Sequence, residues 1–131
     1  MDHPSRYLRQ AIEAFAAGRH YDVLALLDTQ AGLWFNDDRT DHFGHLGYAN
    51  AVAAWQRRFQ LVSIDVAEVV DQSTHLAVAH GTATLQPLSG GDHVRVLFRV
   101  NVDVHGGCIT DVHLWIEEST AVSELPQGRE T

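Results

Sequence analysis

Asn36 and Asp38 stand two residues apart, just after the short apolar run Leu33-Trp34-Phe35, and they bring the two polar functions a small-molecule site needs. A buried amide can orient a ligand's oxygen. A carboxyl walled in by apolar groups has its pKa raised, which suits a general acid or base. The indoles of Trp34 and Trp55 and the guanidinium of Arg58 complete the candidate set, the last able to meet an enolate or a carboxylate. Plainer readings stand beside these: Asn36 as a satisfied buried amide, Asp38 as a solvated loop carboxylate, and Arg58 with its stem on apolar surface and its head in water.

A second group, Asp38, Asp41, His42 and His45, falls within eight positions and has the residue types of a metal site. A His-x-x-His pair on a polar segment does not by itself fix ligands at the roughly 2 Å that a closed site needs. No metal and no cofactor is therefore assigned. His113 with Asp103 forms a candidate dyad, but on a face that lacks enclosure. The single Cys108 cannot form an internal disulfide.

The elements that must position these groups follow from periodicity. From Val94 onward Val96, Phe98, Val100, Val102 and Val104 share one parity, and Arg95, Leu97, Arg99, Asn101, Asp103 and His105 share the other. This is a strand with one buried face. Gly106 and Gly107 allow a tight connection, and the next run alternates Val112, Leu114 and Ile116 against Asp111, His113, Trp115 and Glu117, giving a β-hairpin. Upstream, strands are predicted at 61–70 and 74–85. Ala77, Ala79, Gly81 and Ala83 take the inward parity there, and such small residues leave volume for helix side chains or for a ligand.

Three helices precede the strands. Leu8, Ile12 and Phe15 mark the first, over Pro4–Ala17, the second covers about Tyr21–Asp28, and Val52, Trp55 and Phe59 mark the third, from Tyr48 to Phe59. Leu33–Asn36 reads as a short strand with Trp34 and Asn36 pointing inward, and the polar stretch after it reads as a loop. The fold class is α+β, with three N-terminal helices on one face of an antiparallel sheet. A single domain is expected over 1–118, followed by a flexible C-terminal tail over 119–131.

Composition narrows the partners. The 131 residues suffice for one core and one pocket. With 9 basic against 17 acidic residues, the net charge of -8 opposes a phosphate backbone, and no basic stripe appears, so nucleic acid is not an expected partner. No apolar run approaches the roughly 20 residues that span a bilayer. The start MDHPSRYLRQ lacks the apolar core of a signal peptide, so a cytoplasmic protein without a membrane partner is expected.

The segment AFAAGRHYDVLALL, a glycine before the third helix and the GGCI hairpin resemble, in this order, the nuclear transport factor 2-like superfamily. The resemblance covers nearly the whole chain. It implies a cone-shaped fold whose strongly curved sheet and helices enclose a ligand cavity, as in SnoaL-like polyketide cyclases, ketosteroid isomerases, scytalone dehydratases and limonene-epoxide hydrolases. GYANAVAAWQRRFQLVSID is most similar to the epoxide-hydrolase branch. That branch places a Tyr and an Asn two residues apart where Trp34 and Asn36 stand, and carboxylates or Arg where Gly81, Ala83 and Leu114 stand. Epoxide hydrolysis is disfavoured, and so is the isomerase chemistry, whose base falls near Asn36.

The leading expectation is a SnoaL-like small-molecule enzyme, a cyclase, isomerase or lyase, acting on an apolar polyketide- or terpenoid-like substrate. Asp38 and Asn36 would carry the chemistry, and Trp34, Trp55, Arg58, Phe98, Val100, Val112 and Leu114 would contact the ligand. Two other readings remain open: a non-catalytic small-molecule-binding or accessory domain, and a purely structural dimerisation module with a filled interior. Leu97, Arg99, His113 and Trp115 combine aromatic and Arg anchors on the mixed face, so a homodimer through that face is expected.

Overall fold

Valine or phenylalanine at every second position from Val94 to Val104 builds one long strand, and the two glycines after it turn the chain straight back. In the computed structural model, which describes residues 3–35 and 38–118 except the side chains of 38–41 and 118, that strand runs Val94–His105 and its partner Cys108–Glu118. Gly106 and Gly107 have φ of 60° and 78°, the positive values a two-residue hairpin turn requires. A register shift between Asp103 and Val104 leaves Thr110 as an extra residue, held by its hydroxyl to the Asp103 carbonyl at 3.3 Å. The bulge explains how Ile109 and Val112, three apart, both line the helix-facing side.

In chain order the elements are α1 (Pro4–Ala16), α2 (His20–Leu26), β1 (Leu27–Phe35), β2 (Asp38–Phe43), α3 (Gly44–Gln56), β3 (Phe59–Asp71), β4 (Leu76–Pro87), β5 (Val94–His105) and β6 (Cys108–Glu118). They form three helices and one six-stranded sheet in the order β2-β1-β6-β5-β4-β3. The sheet is mixed rather than antiparallel, because β1 runs parallel to β6 while every other pair is antiparallel. Side-chain alternation records which face a residue takes but not the direction of its neighbour, so the parallel pair left no trace in the sequence.

Three boundaries depart from the sequence reading. The second helix ends at Leu26, and β1 begins at Leu27, well before the expected short strand. Its pairing with β6 shifts between Leu27 and Gly32, which breaks the alternation that would have revealed it. The expected loop contains β2, an edge strand paired to β1 alone, where a polar sequence is compatible with a ladder. The third helix starts at Gly44 and stops at Gln56, earlier at both ends than periodicity suggested. The expected tail, 119–131, and Asn36 lie outside the described residues.

The helices pack on the sheet. Helix α1 contacts β3, β4 and β5, and α3 contacts β1, β2 and β3. Ser5, in the first turn of α1, is held from β3 by Asp71, whose carboxylate accepts from the Ser5 N–H at 2.7 Å and from its hydroxyl at 3.0 Å. A carboxylate at that end also suits the helix dipole. Leu8, Val102 and Ile109 are the centre of the core, each at most 2 % exposed, and Ala77 and Ala79 are wholly buried beside them. Gly81 has a different role from the cavity-forming one its parity suggested. A Cβ there would strike the Asp65 carbonyl oxygen, so glycine lets β4 approach the β3 bulge. No helix among the described residues is long and apolar enough to cross a membrane.

Candidate functional site: an apolar cavity with polar groups on one helix

Between the helices and the inner face of the sheet lies a cavity of about 390 Å³, within the size range of small-molecule sites. Its wall on the sheet side is aliphatic and aromatic: Val96, Phe98 and Val100 from β5, Val112, Leu114 and Ile116 from β6, and Ala83 and Leu85 from β4. Ala83 is the position where the small-residue argument holds, since it lines the cavity while Ala77 and Ala79 are covered by packed side chains.

Among the described lining residues only Tyr48, Trp55 and Arg58 have polar atoms in their side chains, and all three come from α3 or its immediate end. Residues 48 and 55 are two helical turns apart and face the same way, with Ala51 and Val52 between them on the same wall. Four alanines between Ala49 and Ala54 favour the helix and keep that wall thin. At 1.5 Å per residue, Tyr48 lies about 10 Å from Trp55 along the helix axis. Arg58 is exposed, with its guanidinium 5.1 Å from the centre of the Phe59 ring, so this end of the cavity meets solvent.

Tyr48 is the polar group that the sequence reading missed. His20, at the start of α2, brings Nδ1 to 2.7 Å from the Tyr48 hydroxyl, and the Phe15 ring meets the His20 ring edge-on at 5.7 Å. Burial pushes the Tyr48 hydroxyl above the ordinary tyrosine range, so it is a neutral phenol at physiological pH. A signal for it was present, since Tyr48 lies seven residues before Trp55 and so shares its helix face. The partner His20 comes from a distant part of the chain and had no signal.

The candidate residues divide as follows. Trp55, Arg58, Phe98, Val100, Val112 and Leu114 line the cavity. Trp34 does not: Leu33 and Phe35 take the inward positions of β1, and Trp34 points to the opposite face, 40 % exposed. There it meets His113 and Trp115 with ring centres 5.7 and 5.4 Å away. The expectation that put this indole in the pocket chose the wrong parity. Asn36 and the side chain of Asp38 lie outside the described residues. Among the described residues no group of three His, Cys, Asp or Glu could hold a metal ion; His45 bonds the Leu27 carbonyl at 3.2 Å and His42 packs on Phe35.

The outer face of the sheet has its own cluster. The rings of His113 and Trp115 stack at 5.9 Å, and the Arg99 guanidinium lies 5.6 Å from the Trp115 ring centre. Leu97 is 45 % exposed on this face, while the Asn101 side-chain oxygen is buried with no hydrogen-bond partner among the described residues.

No model of a known protein family matches the chain, and a search of curated proteins gives no match. Solved structures do match. A nuclear transport factor 2-like protein of unknown function from Burkholderia pseudomallei superposes with a TM-score of 0.78 at 17% identity, over 94% of this chain and 95% of that one. A protein provisionally named a polyketide cyclase, from Pseudomonas putida, gives 0.73 at 19% identity over 87% and 91%. TerC, co-crystallised with polyporic acid, gives 0.75 at 14% identity over 92% and 95%. At such identities the likeness speaks to architecture, and the chain has the nuclear transport factor 2-like fold that its sequence resembles.

Proposed function

We propose that this chain holds an apolar, polyketide- or terpenoid-like small molecule in the cavity, with the sheet curved around it as the wall of a cone. The observation that supports this best is the composition of the wall, apolar everywhere among the described residues except for the groups on α3. Matching folds include one co-crystallised with a small molecule and others provisionally named cyclases. The test is equilibrium binding of fluorene, a rigid hydrocarbon, to the parent and to Ala51→Phe, which fills the wall of α3. Micromolar binding that the substitution abolishes supports the reading, and equal binding by both proteins contradicts it.

On this reading the chain acts as a cyclase, isomerase or lyase, in which the cavity aligns a reactive substrate and Asn36 and Asp38 supply the polar chemistry. Asp38→Asn should lower turnover of the substrate by about 100-fold with little change in binding, and Asn36→Leu should weaken binding instead. Unchanged turnover in both variants would leave the non-catalytic binding domain as the better description, which the lack of a carboxylate among the described lining residues favours.

The same reading gives the outer face to a second copy of the chain. Its aromatic and Arg cluster is flanked by Asp103, Asp111 and Glu117 along β5 and β6, so a two-fold arrangement can set basic groups of one copy against acidic groups of the other.

A further inference from the structure

The lining chemistry restricts the ligand more than size alone does. Trp55 offers one N–H and Arg58 five, and neither side chain can accept a hydrogen bond. No described lining residue is an Asp, Glu, Asn, Gln, Ser or Thr. The phenol of Tyr48 has one proton to donate and oxygen lone pairs to accept with, and His20 decides which of these faces the cavity. When His20 carries its proton on Nδ1, it donates to the Tyr48 oxygen, and the phenol proton is left to point at a ligand. The two bonds then run in one direction and strengthen each other. With the proton on Nε2 instead, the phenol donates to Nδ1 and has no proton to offer the cavity.

We infer that the α3 side of the cavity reads acceptor oxygens: its ligand is an elongated apolar molecule with a carbonyl oxygen that accepts from Tyr48, positioned by His20, and an anionic oxygen toward Arg58. The inference rests on the small-molecule reading above.

The probes are fluorene, 9-fluorenone and 9-fluorenone-2-carboxylate, which share one skeleton and add first the carbonyl and then the anion. Affinities come from calorimetry, and the carbonyl stretch of bound fluorenone from infrared difference spectra. Replacing Tyr48 by Phe should lower the fluorenone-to-fluorene affinity ratio about fivefold, the effect of one ordinary hydrogen bond, and raise the carbonyl frequency. His20→Leu should do the same in part, and His20→Asn, whose amide can occupy the place of Nδ1, should restore both. Arg58→Gln should remove the extra affinity of the carboxylate alone. An unchanged ratio and frequency across Tyr48→Phe and His20→Leu, with fluorene still bound, overturns this inference and leaves the cavity reading standing. Failure of both fluorene and fluorenone to bind the parent overturns both. Should Tyr48→Phe not fold, the pair His20→Leu and His20→Asn decides the matter by the same two readouts.

Discussion

The two faces of β5 and β6 are built from alternate residues of the same two strands, yet they have been put to opposite uses. Val96, Val100 and Val102 point to the helices and are at most 8 % exposed, whereas Leu97 and Arg99 between them are exposed. The inner face has nearly no polar side chains of its own, and takes its hydrogen-bonding groups from a helix opposite. The outer face concentrates Trp34, Trp115, His113 and Arg99 and is covered by no described helix.

Stability should separate the faces most strongly. Leu8 is 1 % exposed against the inner face, and Leu8→Ala should cost about 3 kcal/mol in urea unfolding. Leu97→Ala on the outer face should stay within about 0.5 kcal/mol in the monomer. Equal losses would mean that the outer face is packed as tightly as the inner. Assembly comes next: Trp115→Glu should weaken a dimer by at least about 2 kcal/mol, as for a central aromatic anchor, while leaving the fold intact. Sedimentation of the parent as a monomer at high micromolar concentration would remove the dimer altogether.

The smallest effect is a pH dependence, and it belongs to the inner face. The raised pKa of Tyr48 means that folding favours the neutral phenol, so its contribution is complete below the unfolded tyrosine value of about 10 and is lost as pH rises above it. Between pH 9 and pH 11 the parent should therefore lose up to about 1 kcal/mol more than Tyr48→Phe does. Parallel losses would place the Tyr48 hydroxyl in water rather than against the cavity.

The β5–β6 hairpin was legible because one apolar parity persists for eleven residues and ends on Gly106 and Gly107. The same device failed for β1, where a register shift interrupts the alternation and where Trp34 and Asn36 were given the inward parity. Trp34 is the larger residue, but Leu33 and Phe35 keep the parity that faces the helices. Edge strand β2 was illegible for a different reason, since a strand with one neighbour need not be apolar on either side. Most of the wall could be named from the hairpin, including Phe98, Val100, Val112 and Leu114. The His20–Tyr48 pair could not, because it joins residues 28 apart through tertiary packing.

On the proposed reading a ligand binds the inner face and not the outer. Intermolecular nuclear Overhauser effects from bound 9-fluorenone to the protein's methyl groups measure this directly, because the two faces carry different methyls. Cross-peaks are expected from the fluorenone ring protons to Val100, Val112 and Leu114, and none to Leu97. Cross-peaks to Leu97 with silence from Val100, Val112 and Leu114 would contradict it.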